Sequence, residues 1–156
     1  VEIGRVLSLV LVLGYGGLVI ERNTLWKSEL SLWSDAVGKA PLMPRIHLYL
    51  GNAHKDAAFA SISEEQALAH WQEARVAYRR AIELDPQNDL ALRALNNLGA
   101  VSFVLKDIEA AEKAYRRAVE LDPQGARARR YLREALQQVQ GDGDTPPSTP
   151  TEEPTP

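Results

Sequence analysis

The chain has 156 residues, 45% hydrophobic and 25% charged, with a formal net charge of -3; this suits one domain with appendages and excludes wholesale disorder and a polytopic membrane protein. With no cysteine there is no disulfide framework, no thiol nucleophile and no cysteine-based zinc site. The balance of 18 basic against 21 acidic residues supplies no overall field for nucleic acid or acidic lipid.

The chain opens on VEIGRVLSLVLVLGYGGLVIERN, in which residues 6–20 carry no charge and residues 1–20 carry only Glu2 and Arg5. The uncharged run would extend about 22 Å and the whole stretch about 30 Å, the thickness of bilayer hydrocarbon. Residues 1–21 are therefore expected to form a transmembrane-type helix, as a membrane anchor or in the core of an oligomer; a buried core helix is the alternative for so short a run. Gly14, Gly16 and Gly17 suit lipid or a close helix contact better than an aqueous helix. No basic start or small-x-small cleavage site marks a secretory leader, and a chain beginning at Val1 reads as a fragment or a processed product. Charges flank the run on both sides, which leaves its orientation open.

Helical periodicity follows. Trp26, Leu30, Trp33 and Val37 recur at steps of four, three and four on a helix expected over 25–39 with Thr24 as its cap. Ala67, Trp71, Ala74 and Tyr78 do the same on a helix expected over 64–84, capped by Ser61 or by Ser63 with Gln66 three residues on. Asn88 or Asp89, and then Asp107, can cap the next two helices, while Pro86 and Pro123 stop the helices before them. Strand alternation is absent.

Within this region AYRRAIELDPQ at 77–87 returns as AYRRAVELDPQ at 114–124, 37 residues later, with only Ile82 exchanged for Val119. A weaker copy, LWSDAVGKAP at 32–41, places Trp33, Ala36 and Pro41 where Tyr78, Ala81 and Pro86 stand, 45 residues earlier. Leu50-Gly51 and Leu98-Gly99 precede two of the copies. Gly51, Gly99 and alanines 74, 81, 111 and 118 allow two helices to approach closely, and Tyr78 and Tyr115 fill the space between neighbours. After Gly125, Leu132, Leu136 and Val139 share one helical face while Arg127, Arg129, Arg130 and Arg133 lie largely elsewhere, as in the polar capping helix of a repeat array. The end, GDGDTPPSTPTEEPTP, holds five prolines and no large apolar residue and cannot fold alone. It reads either as a plain solvated end or as a stalk with O-glycans on Thr145, Ser148, Thr149, Thr151 and Thr155. The expected division is 1–21, 22–140 and 141–156.

These residues and spacings resemble the tetratricopeptide repeat, a 34-residue helix-turn-helix unit. Counted from Leu92, the pattern is met by Leu95, Leu98, Gly99, Ala111, Tyr115, Ala118 and Pro123, and Ser102 departs from it where an aromatic belongs. Counted from Pro44, it is met by His47, Leu50, Gly51, His54, Ala74, Tyr78, Ala81 and Pro86, with 11 extra residues between the halves; a 64–84 helix of about 31 Å would carry that excess as a protruding hairpin tip. The resemblance implies an all-α solenoid whose first helices line a concave groove. Its ligand-facing positions would be Arg45, Leu48, Tyr49 and Asn52 in one repeat and Arg93, Asn96, Asn97 and Ala100 in the next. Arg and Asn there can hold an extended peptide by its carboxylate and backbone groups.

Residues 22–56 resemble a narrower group, membrane proteins with transmembrane and tetratricopeptide regions related to protein O-mannosyltransferases. The shared residues are Arg22, Asn23, Trp26, Leu32, Trp33, Pro41, Leu50, Gly51 and Asn52. That likeness implies a last membrane helix followed by repeats on the extracytoplasmic side. The glycosyl-transfer residues of that group have no counterpart in this sequence.

Catalytic chemistry is missing. His47 and His54 are about 10 Å apart along a helix, too far to share one ion, and both occupy ring-packing positions of the repeat. No phosphate-binding loop, nucleophile elbow or recognisable carboxylate pair appears, so no catalytic residue, metal or cofactor is expected. Arg116, Arg117, Arg127, Arg129, Arg130 and Arg133 read as a solvated face balanced by Glu120, Asp122 and Glu134, not as a nucleic-acid surface. The resulting expectation is a membrane-anchored interaction or scaffold module for a protein or peptide. The alternatives are a structural subunit of a cell-surface filament or membrane assembly with helix 1–20 in its core, and the C-terminal repeat region of a membrane O-glycosyltransferase.

Overall fold

The chain alternates helix-stopping and helix-capping residues closely enough that six helices form among the described residues. These residues, in a computed structural model, are 27–143 with Leu11 and Tyr15. The remainder of the apolar segment 1–21, Trp26 and the tail beyond 143 lie outside them, and so do the expectations placed there. The helices are α1 (Glu29–Lys39), α2 (Pro44–Ala60), α3 (Glu64–Leu84), α4 (Asp89–Val104), α5 (Ile108–Leu121) and α6 (Ala126–Gly143). Among the described residues there is no strand, and no helix is long and apolar enough to cross a membrane.

Side-chain caps set most of the boundaries. Ser28, rather than Thr24, caps α1: its hydroxyl accepts from the Ser31 amide at 3.1 Å and Ser31 reciprocates, so the helix starts at Glu29 instead of residue 25. Pro44 opens α2 with a φ already set for helix. Ser63 caps α3 through the Gln66 amide at 3.2 Å, while Ser61 donates back to the Ala57 carbonyl at 2.8 Å. Asn88 caps α4 at 2.9 Å and Asp107 caps α5 at 3.1 Å. Between these two helices Lys106 adopts φ 59, which lets the Asp107 amide donate to the Ser102 carbonyl at 2.9 Å. The capping helix α6 continues to Gly143, three residues into the segment assigned above to the tail.

Each helix packs on the next, and the first helices α2 and α4 also touch each other, as α4 and α6 do. The pairs close over small residues. Gly51 lies so near Tyr78 that an added Cβ would stand 2.5 Å from the ring, and Gly99 has the same relation to Tyr115. One main core holds Leu48, Tyr78, Leu95, Leu98 and Val101; Leu48 and Val101 are wholly buried and each contributes about 1.5–3 kcal/mol. A second, smaller core forms where α6 covers Tyr115 with Tyr131 and Leu132.

The long hairpin shows how the insertion is absorbed. Past the glycine, α2 continues for nine residues to Ala60 whereas α4 continues for five to Val104, and α3 begins ten residues before Ala74 whereas α5 begins three before Ala111. Four of the 11 extra residues thus lengthen the first helix and seven the second, with turns of equal length. The tip protrudes as the sequence implies, presenting Phe59, Ile62 and Leu68 to solvent. Trp71 is buried beneath it, edge-on to Phe59 at 4.8 Å between centroids.

Candidate peptide-binding groove

The first helices of the repeats carry the six groove residues expected from the pattern, and the structure divides them by role. Asn52 and Asn97 are tied together. Asn52 Oδ1 accepts from the Tyr78 hydroxyl at 2.8 Å and from Asn97 Nδ2 at 3.0 Å, so one amide oxygen joins α2, α3 and α4. Burial pushes the Tyr78 hydroxyl pKa up, helped by the negative charge of Asp56 and opposed by its hydrogen bond with Asn97, so it stays a neutral donor. Tyr49 stacks on Trp33 of α1, with centroids 4.7 Å apart and planes 18° from parallel. That stack seats α1 against α2.

Arg45, Arg93 and Asn96 are placed differently. The two arginines are exposed at equivalent positions of α2 and α4 and have no ion-pair partner among the described residues. Asn96 Nδ2 donates to the Leu92 carbonyl at 2.9 Å, while its buried Oδ1 has no hydrogen-bond partner there. Of the neighbouring positions, Ala100 is exposed but Leu48 is not in the groove at all. It is wholly buried in the main core with α3 and α4 residues, a correction the pattern position alone does not anticipate.

The histidines also separate. His47 is buried and donates from Nε2 to the Pro41 carbonyl at 2.7 Å, the packing role expected of it. His54 does not pack as a core ring. It is half-buried, with Nδ1 3.2 Å from Nδ1 of His70 on α3. Burial lowers its pKa below the usual histidine range, the neighbouring His70 lowers it further, and Glu73 opposes both. Sequence reasoning missed this pair because its members sit 16 residues apart on different helices, joined only by the extra turns of α3. Among the described residues no three metal-ligating side chains converge.

On the outer face Arg116 pairs with Glu112 at 2.6 Å and Arg130 with Glu134 at 3.9 Å. Arg127, Arg129 and Arg133 are exposed, as a solvated face requires.

Stacked helical hairpins closed by glycine–tyrosine contacts and ended by a polar helix define a tetratricopeptide-like solenoid. The tetratricopeptide repeat family model matches residues 92–124. The fold is similar to the Sgt2 TPR domain from Aspergillus fumigatus, at 19% identity and a TM-score of 0.61, covering 91% of this chain and 87% of that one. It is likewise similar to the first TPR domain of human RPAP3, at 20% identity and a TM-score of 0.60, covering 88% of this chain and 97% of that domain. No curated protein matches the sequence.

Proposed function

We propose that this chain is a non-catalytic interaction module that holds an extended peptide, or a chain's C-terminal carboxylate, along α2 and α4. The observation that carries this is the pair Arg45 and Arg93, exposed at equivalent positions of successive first helices and free of ion pairs among the described residues. Guanidinium groups take a carboxylate in two parallel hydrogen bonds. The uncharged run at residues 6–20 supports placing the module beside a membrane, on the extracytoplasmic face that the likeness at 22–56 implies.

The test is binding of a library of C-terminal heptapeptides, each with a free acid or an amide end, followed by fluorescence anisotropy. A charge-assisted hydrogen bond is worth about 1.5–3 kcal/mol, so Arg45→Glu or Arg93→Glu should weaken binding about 10- to 100-fold with helicity unchanged. Amidation should do the same. Peptides that bind but are indifferent to both reversals and to amidation would refute this groove.

A further inference from the structure

Two surfaces away from the groove are each incomplete, and they complement each other. The first lies on the outer face, where α3 and α5 pass over α4. Ser102 stands where the repeat pattern has an aromatic, and it is 0% exposed with its hydroxyl unpartnered among the described residues. Above it opens a cavity of about 320 Å³ floored by Ile82, Leu95, Leu98 and Ala114. Arg79, Lys113 and Arg117 rim it and have no ion pair among the described residues, whereas its one acid, Glu83, is engaged by Arg80 at 3.1 Å. An apolar floor under an unbalanced cationic rim suits an apolar side chain flanked by carboxylates.

The second surface is the hairpin tip. Phe59 is 73% exposed despite its edge contact with Trp71, and Ile62 is 102% exposed, a cost in water that contacts among the described residues leave largely unrelieved. Glu64 and Glu65 follow at once, exposed and without ion pairs among the described residues. The tip therefore offers the apolar-plus-acidic chemistry the outer furrow takes.

The two cannot meet within one molecule. Both lie on α3, and from Glu64 to Glu83 an unbroken helix holds them about 28 Å apart. The acidic tail of the chain is no substitute, because residues 141–156 contain no large apolar side chain. We infer that the tip of one copy docks into the α3–α5 furrow of a second copy. The contact is head-to-side, so a pair keeps one free tip and one free furrow, and association continues into chains or closed rings. So small a contact is weak and loosens as salt screens its charges.

The absence of native cysteine makes the test direct in the full chain held in detergent. One copy carries Ile62→Cys and a differently tagged copy carries Lys113→Cys; mild oxidation should link them, while Ile62→Cys against Gln137→Cys, an exposed site on α6, should link at least ten-fold less. Adding Glu64→Arg and Glu65→Arg to the tip should cut the 62–113 product by about ten-fold, and Arg79→Glu with Arg117→Glu in the furrow should restore it. Failure of the 62–113 link at millimolar protein, equal linking at residue 137, or indifference to the charge reversals would each overturn the proposal. Because none of these residues lines the α2–α4 groove, peptide binding there is a separate readout.

Discussion

Replacing Gly99 by alanine sets two effects of known sign against each other. In an open helix the change adds about 1 kcal/mol of stability through helix propensity. Here the new methyl carbon would stand 2.5 Å from Tyr115 Cε1, 2.6 Å from Cζ and 2.8 Å from Cδ1, all inside van der Waals contact. The ring cannot swing away, because Tyr115 is 2% exposed and backed by Tyr131 at 5.5 Å. Overpacking of this kind costs about 1–3 kcal/mol, so the clash wins and Gly99→Ala is destabilising, with Gly99→Leu worse. Gly38 supplies the control: it lies in α1 with nothing within 4 Å of an added Cβ, so Gly38→Ala should gain up to about 1 kcal/mol. The two alanines share the propensity gain and therefore differ by the clash, about 1–3 kcal/mol, in urea unfolding followed by far-ultraviolet circular dichroism, with the slope against urea unchanged. A double-mutant cycle with Tyr115→Leu should show the two positions coupled. If Gly99→Ala stabilises as Gly38→Ala does, the helix pair α4–α5 is not closed over that glycine and the packing argument fails.

Three further outcomes follow from the same structure. His54 resists protonation in the fold, first through burial, then through His70. The unfolded chain takes up that proton near pH 6.5, so stability should fall as pH drops below about 7 and level off beneath the folded value, with no change above; His54→Gln should flatten the difference between melting temperatures at pH 7.5 and 5.5. Lys106→Gly should add about 1 kcal/mol by relieving the left-handed backbone at φ 59, measured by thermal melting. Asp107 caps α5 and also accepts from Arg75 at 3.2 Å. Asp107→Ala should therefore cost about 1–2 kcal/mol, whereas Asp107→Asn keeps the cap and should lose less than about 1 kcal/mol.

Local chemistry made most of the architecture readable. Caps at Ser63, Asn88 and Asp107, the stop at Pro86 and the duplicated AYRRA segment place α3 and the starts of α4 and α5 within a residue or so, because each depends on atoms a few residues apart. At the start of α1 the sequence offers the same capping chemistry at Thr24 and Ser28, and the reciprocal bond with Ser31, which opens the helix at Glu29, forms at Ser28. The repeat pattern names candidate groove residues but not what each touches. Nothing in the spacing reveals that Asn52 is consumed by Tyr78 and Asn97, that Tyr49 is held by Trp33, or that Leu48 is sealed in the core, since each depends on a neighbouring helix. The His54–His70 pair and the furrow above Ser102 were hidden for the same reason.

Those two features are connected by the length of the second helix. His54 and Ser102 occupy the same position of their repeats, and His70 and Asp107 are likewise equivalent, 37 residues apart. In the long hairpin α3 has already been under way for seven residues where α5 has only begun, so His70 is a helical side chain free to face His54. In the shorter hairpin the equivalent place is a cap: Asp107 spends its carboxylate on the Ala110 amide and on Arg75. Ser102 is left with no side-chain partner and too little bulk to fill the gap beneath α3 and α5. The insertion thus lifts an apolar, acidic tip away from one repeat and sets His70 against His54 there; a furrow opens in both repeats, about 470 Å³ over His47 and Leu50 and about 320 Å³ over Leu95 and Leu98, but acids Glu73 and Glu83 balance the arginines of the first while the second is cation-rimmed.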